Sequence, residues 1–155
     1  MALGQTLGYI YHPTDIPTQI SLCTKRNLSH NTASHSGKIG ISVKTEHFYT
    51  LGTPLEVEIS IQTPSFKASG HVSWCIPEKD GCFRTGIVFD DPDTAYAVRM
   101  IEQICHIEHY RKEVEQKEGR QLSSEDAAAE WIQHFAHDFP SADLNAPCKT
   151  RTSVS

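Results

Sequence analysis

The apolar residues of this chain change period once, near residue 90, and that change constrains the fold more than any other feature. In PLEVEISIQ, residues 54–62, Leu55, Val57, Ile59 and Ile61 alternate with Glu56, Glu58 and Ser60. This is the period of two of a strand with one buried face. From residue 91 the sequence reads DPDT. Asp91 suits a helix N-cap, Pro92 the first helical position, and Asp93 the positive end of the helix. A chain that alternates up to that point and turns helical after it folds as a β-rich body followed by helices.

Four more segments alternate before the switch. GKIGISVKT (37–45) places Ile39, Ile41 and Val43 inward, with Gly40, Ser42 and Lys44 outward. GHVSWCIP (70–77) puts Val72, Trp74 and Ile76 on one face, and CFRTGIVFD (82–90) does the same for Phe83, Thr85, Ile87 and Phe89. TQISLCTK (18–25) is a weaker strand, and TLGTP and PEKDG supply turn residues between runs. Five or six short antiparallel strands with tight links predict a mainly β fold, a small barrel. Of 155 residues, 38% are apolar, material for one core.

The helix beginning at Pro92 is expected to reach about Glu118. At 1.5 Å per residue it is roughly 40 Å long, more than a small barrel's width. Met100, Ile104, Ile107, Arg111 and Val114 form a stripe at helical spacing, with Ile101 and Cys105 beside it. The first turns should close the open end of the barrel. The later turns, HYRKEVEQKE, are charged and project into solvent or pair with another helix. GRQL interrupts the pattern, and SSEDAAAEWIQHFAHDFP starts a second helix. There Ser123 and Asp126 are spaced as a capping box, and Ala128, Trp131, Ile132 and Phe135 give an apolar face that Pro140 ends. The expected organisation is a barrel with its closing helix over 9–110, the charged and second helices over 111–140, and a disordered tail over 141–155. Burying Trp131 and Phe135 requires the second helix to pack on the first, within one chain or between two. Residues 100–139 are therefore a candidate homodimer surface.

The net charge of -5 is unevenly spread. Residues 1–50 carry Lys25, Arg26, Lys38 and Lys44 against Asp15 and Glu46, whereas residues 78–143 carry 7 basic and 15 acidic side chains. An anion is drawn to the first part and repelled by the second. Long nucleic acid is disfavoured, because its binding needs several phosphate contacts. No apolar run approaches the ~18 residues of a membrane span, so no membrane insertion is expected. The N-terminal residues lack the basic-then-apolar order of a secretory leader. Five cysteines with no C-x-x-C fit free thiols in a reducing, cytoplasmic setting.

Groups that carry chemistry are sparse. His106/His109 and His134/His137 are neighbours on their helices and able to share a metal, and His30/His35 lie close in sequence. HIEH lacks the spacing of H-E-x-x-H, and surface histidine on a charged helix is the plainer reading. Cys75 and Cys82 flank a turn without the second pair a zinc site needs, which suits small apolar roles. No G-x-S-x-G, P-loop or paired carboxylates mark an enzyme. No catalytic residue, metal ligand or cofactor is therefore assigned. Phe48, Tyr49, Phe66 and Trp74 keep open a base-stacking barrel that binds nucleic acid, although Trp74 falls on the apolar face with Val72.

The order of HPTDIP, a strand loop ending in Gly40, GHVSWC, GIVF and a helix after DDPD resembles the PilZ family over roughly residues 9–110. The resemblance implies a six-stranded antiparallel β-barrel, here with a C-terminal α-helical extension. Many members bind the bacterial messenger cyclic di-GMP through R-x-x-x-R before the barrel and D/N-x-S-x-x-G on a strand pair. The arginines offer planar forks to phosphate and guanine, and the glycine lets backbone approach closely. Here Tyr11 and Asp15 stand at the arginine positions, His35 and Gly37 at the Asp/Asn and Ser positions, and only Gly40 matches. Each lost charged contact removes ~1.5–3 kcal/mol. The resemblance thus implies a signalling adaptor in cyclic di-GMP pathways, with nucleotide binding weak or lost and a protein partner. A receptor with a substitute site built from Lys25, Arg26, His30, His35 and Lys38 is the alternative, and a nucleic-acid-binding barrel the one from another class.

Overall fold

The computed structural model describes residues 9–23 and 40–138. Six strands form one sheet: β1 (Tyr9–Tyr11), β2 (Thr18–Leu22), β3 (Gly40–Thr45), β4 (Pro54–Ile59), β5 (Phe66–Pro77) and β6 (Phe83–Val88). Helices α1 (Pro92–Glu118) and α2 (Ser124–Phe135) follow, and a 3-10 turn covers Ala136–Asp138. The strand order is β1-β3-β6-β5-β4-β2. Two expectations are corrected. The sheet is not closed into a barrel, because β1 and β2 are its two edges. It is not antiparallel throughout, because β1 runs parallel to β3, with Ile10 opposite Ile41. A parallel neighbour requires a long crossover, and the chain supplies one by laying β2 on the far edge against β4 before it returns to β3. Residues 12–17 join the two edges through a turn in which Ile16 N–H donates to the Pro13 carbonyl at 3.2 Å. So short a link requires a strongly curled sheet.

The period-two reading places the core correctly on three strands. Ile41 and Val43 of β3, Leu55, Val57 and Ile59 of β4, and Thr85 and Ile87 of β6 are buried on one face. Ala95, Val98, Ile101 and Cys105 of α1 join the same cluster, so the first turns of α1 cover the sheet. The stripe expected on α1 is displaced by one residue. Ile101, Glu102 and Cys105 face inward, while Met100 and Ile104 are 39% and 45% exposed. The two ends of α1 pack on different partners, first the sheet and then α2, so no single stripe describes it. Its boundaries follow their local signals. Asp91 accepts from Thr94 N–H at 2.9 Å, and Gly119 ends the helix in the left-handed region at φ 69°.

Strand β5 departs from the sequence pattern. Val72 pairs with Ile87, but Trp74 pairs with Gly86, so Ser73 is an extra residue in a β-bulge. The bulge inverts the faces after it. Trp74 lies on the outer face rather than in the core, Ile76 is exposed, and Cys75 packs against the core. The indole covers Gly86, where a Cβ would come within 2.2 Å of the ring. Tyr9 meets the indole edge-on at 5.3 Å and donates its hydroxyl to Ser73. A Cβ at Gly40 would lie 2.5 Å from the Ile87 carbonyl and 2.6 Å from the Tyr9 ring. The two glycines therefore make room for an aromatic pair on the outside of the sheet.

Helix α2 folds back on α1 within the chain. Ser123 accepts from Asp126 N–H at 3.1 Å, the expected cap. Val114, Ala127 and Trp131 are the buried residues of this hairpin. Tyr110 donates to Glu130 at 2.8 Å, and the Arg120 fork reaches the same carboxylate at 3.1 and 3.2 Å. The apolar face of α2 is only partly used: Ile132 and Phe135 stay 52% and 43% exposed, with Phe135 edge-on to Tyr110. The bulge account predicts that Gly86→Ala costs about 1–3 kcal/mol, the range of overpacking. In a Trp74→Ala background most of that cost should vanish. Chemical unfolding of the four chains measures it, and equal costs in both backgrounds would refute the placement of the indole.

Candidate functional site

The outer face of β1, β3 and β6 gathers the side chains closest to the expected nucleotide site. Strand alternation turns Tyr9 and Tyr11 of β1, Ser42 and Lys44 of β3, and Arg84 and Gly86 of β6 to this side. The Arg84 guanidinium lies over the Tyr11 ring, 4.4 Å from its centroid, and one amino group donates to the Tyr11 hydroxyl at 3.1 Å. Its second amino group points to the Ser42 carbonyl at 3.5 Å and its Nε to Glu78 at 3.4 Å. Lys44 is paired with Asp80, whose carboxyl is held below its usual range by that hydrogen bond. Glu78 and Asp80 both lie in the β5–β6 connection. The two basic residues of β3 and β6 are thus neutralised by one hairpin, and an incoming phosphate would have to displace its carboxylates.

A second constellation sits where residues 12–17 cross α1. His12 and Glu102 are buried, and His12 Nδ1 lies 2.6 Å from Glu102 Oε2. The other ring nitrogen, Nε2–H, donates to the Ile16 carbonyl at 2.9 Å with the Thr18 hydroxyl beside it. One proton therefore lies between Nδ1 and the carboxylate. Burial raises the Glu102 carboxyl; it works against His12, but the Glu102 hydrogen bond and charge outweigh it and raise the imidazole. Both directions favour the protonated form of the pair. Next along α1, His106 is held down to about 4 by burial, so it is neutral and donates Nε2–H to the Tyr11 carbonyl at 2.6 Å. His109 reaches Asp15 at 2.9 Å and Glu113 at 3.1 Å. One side of α1 thus grips the whole link.

Of the residues singled out from the sequence, Tyr11 and Gly40 lie on paired strands, two positions apart in register. Asp15 is drawn away to His109 on α1. Lys25, Arg26, His30, His35, Gly37, Lys38 and Ile39 lie outside the described residues, as does the tail over 141–155. His106 and His109 have protein partners rather than each other. Cys75 stands opposite Thr85 rather than Cys82, with its Sγ 3.3 Å from the threonine hydroxyl. The four aromatics do not share a surface. Tyr49 and Phe66 pack against the core, Phe48 meets Phe83 edge-on, and Trp74 is on the outer face. Among the described residues no helix is long and apolar enough to cross a membrane.

Sequence reasoning passed over Arg84, His12 and Glu102. Alternation already turned Arg84 outward, but its partner Tyr11 is 73 positions away. Glu102 left a signal of its own: a carboxylate inside VRMIEQIC, among the residues that face the core. Such a group calls for a buried partner. Comparison with protein-family models, with curated proteins and with solved structures found no match for this chain. Replacing Arg84 by Ala removes the ring contact and leaves Glu78 unpaired, and should cost about 1–2 kcal/mol. Arg84→Lys should recover only part of it, since an ammonium cannot stack and fork together. Urea unfolding reads both, and an Arg84→Ala chain as stable as the parent would contradict the arrangement.

Proposed function

We propose that the chain is a PilZ-like signalling adaptor in cyclic di-GMP pathways that acts through protein contacts, with its own nucleotide binding weak or lost. One observation carries the reading. The two positions that would hold the arginine forks are Tyr11 and Asp15, and both are committed inside the chain, to Arg84 and to His109. The Glu78 and Asp80 carboxylates beside Arg84 and Lys44 add to it, because they occupy the cations that a phosphate would seek. A curled six-stranded sheet covered by a helix is compatible with the family expectation, though its edges stay unpaired.

In this reading the helical hairpin is the contact surface. Met100 and Ile104 of α1 and Ile132 and Phe135 of α2 remain exposed after the hairpin has formed. Apolar groups of this kind favour association. The occupant is a protein partner, with a second copy of the chain as one form of it.

Two measurements test the reading. Calorimetric titration of the full chain with cyclic di-GMP at physiological salt should show no binding tighter than micromolar, and sub-micromolar affinity would overturn it. In that case Arg26→Ala decides whether the substitute cations are responsible. Sedimentation of the full chain, compared with a chain ending at Arg120, tests the hairpin. Association that is lost on truncation supports self-contact, while a monomer in both excludes the second copy as occupant.

A further inference from the structure

The pocket between residues 12–18 and α1 contains more chemistry than a hydrogen-bonded pair requires. The ligand-capable atoms of His12, Glu102 and Cys105 all lie within 4.8 Å of one another. Glu102 is 0% exposed, yet its Oε1 has no hydrogen-bond partner. A buried acceptor left unpaired is costly, and native structures seldom retain one without a reason. Glu102 and Cys105 are three apart on α1 and share its inward side. His12 comes from the other wall, ninety positions away. Its Nε2–H is fixed on the Ile16 carbonyl, which turns Nδ1 toward the other two groups. A backbone carbonyl that orients the far nitrogen is the usual support of a metal-bound histidine.

We propose that His12 Nδ1, the Glu102 carboxylate and Cys105 Sγ form a binding site for one zinc-class divalent cation, clamped between the β1–β2 link and α1. The donor set excludes harder cations, since a thiolate beside an imidazole suits zinc and neighbouring transition metals rather than magnesium or calcium. Size agrees. Zinc bonds of about 2.0–2.3 Å place tetrahedral ligand atoms roughly 3.3–3.8 Å apart. The His12–Glu102 contact of 2.6 Å must open by about 0.7 Å, and the 4.8 Å limit on the trio leaves little more than about 1 Å to close. Glu102 Oε1 is available as a further donor.

Charge also balances. Without metal, the His12–Glu102 pair holds one shared proton, Cys105 is a thiol, and the pocket is neutral. On binding, the shared proton and the thiol proton leave, and the dication faces one carboxylate and one thiolate. The pocket is neutral again, which a low-dielectric site requires. Since all three residues are buried, metal entry is coupled to the closing of α1 on the link. The cation would fix α1 to the segment that joins both sheet edges.

The test uses the full chain, purified without chelator. The expected result is one equivalent of zinc, release of two protons per ion on reloading the chelated protein, and a melting temperature that chelator lowers and zinc restores. Cobalt in place of zinc should give a thiolate charge-transfer band. Cys105→Ala should abolish that band and weaken binding by at least the roughly 10–100-fold that outer-shell changes cost, while Cys82→Ala leaves both unchanged. X-ray absorption on the native zinc protein requires no variant and should show one sulfur with nitrogen and oxygen ligands. A chain that neither retains zinc nor changes its melting temperature with it overturns the proposal. So does metal binding unaltered in Cys105→Ala, or a shell of several sulfurs.

Discussion

The rest of this structure depends on a buried contact between the start of the chain and its long helix, His12 to Glu102. Removing a carboxylate and an imidazole from water costs several kcal/mol, and their attraction offsets that cost only when geometry and further hydrogen bonds are good. Here the ring is held at both nitrogens, by Glu102 and by Ile16. The consequence is architectural. Residues 12–17 join β1 to β2, the two edges of the sheet. Fixing that link on α1 ties both edges to the helix that covers the core. His106 and His109 extend the grip to the Tyr11 carbonyl and to Asp15. The sheet can stay open because the helix, rather than an edge-to-edge ladder, holds it curled.

The same economy governs the outer face. A fork such as Arg84 could serve a phosphate, but it is stacked on Tyr11 and directed at Glu78 and Ser42. Tyr9 and Trp74 close over two glycines instead of leaving a slot for a base. The cations of this face are therefore satisfied from within, whereas the buried Trp74 Nε1 has no hydrogen-bond partner among the described residues. Exposed apolar groups occur both on the sheet and its loops, as at Leu22, Phe48 and Leu51, and on the helices, among them Met100, Ile104, Ile132 and Phe135.

Local signals were legible in the sequence and long-range ones were not. Asp91, Pro92 and Gly119 mark the ends of α1 because capping is decided within one turn. The inward residues of β3, β4 and β6 follow from alternation alone. Trp74 was misplaced because a bulge depends on the register between two strands, and register is not carried by either strand's own pattern. The parallel pairing of β1 is likewise a property of the path taken by the chain. Met100 and Ile104 were drawn into the core stripe because one helix packs on two different bodies. At the candidate site, Gly40 was placed on its strand, but the nearness of Tyr11 comes from the parallel pairing of β1 with β3, which the sequence pattern does not carry. The commitment of Tyr11 to Arg84 and of His12 to Glu102 spans most of the chain, and no spacing rule encodes it.

The central claim is that the His12–Glu102 contact couples the link to α1, and a double-mutant cycle tests it most directly. His12→Phe leaves a buried carboxyl without its partner, and Glu102→Leu leaves a buried imidazole. Each should cost about 3–5 kcal/mol, whereas the pair replaced together should lose much less than the sum, because apolar groups can fill the pocket. The account predicts a coupling near the upper end of the 0.5–3 kcal/mol seen for residues in contact. Costs that add to within about 0.5 kcal/mol, the behaviour of independent sites, would contradict it.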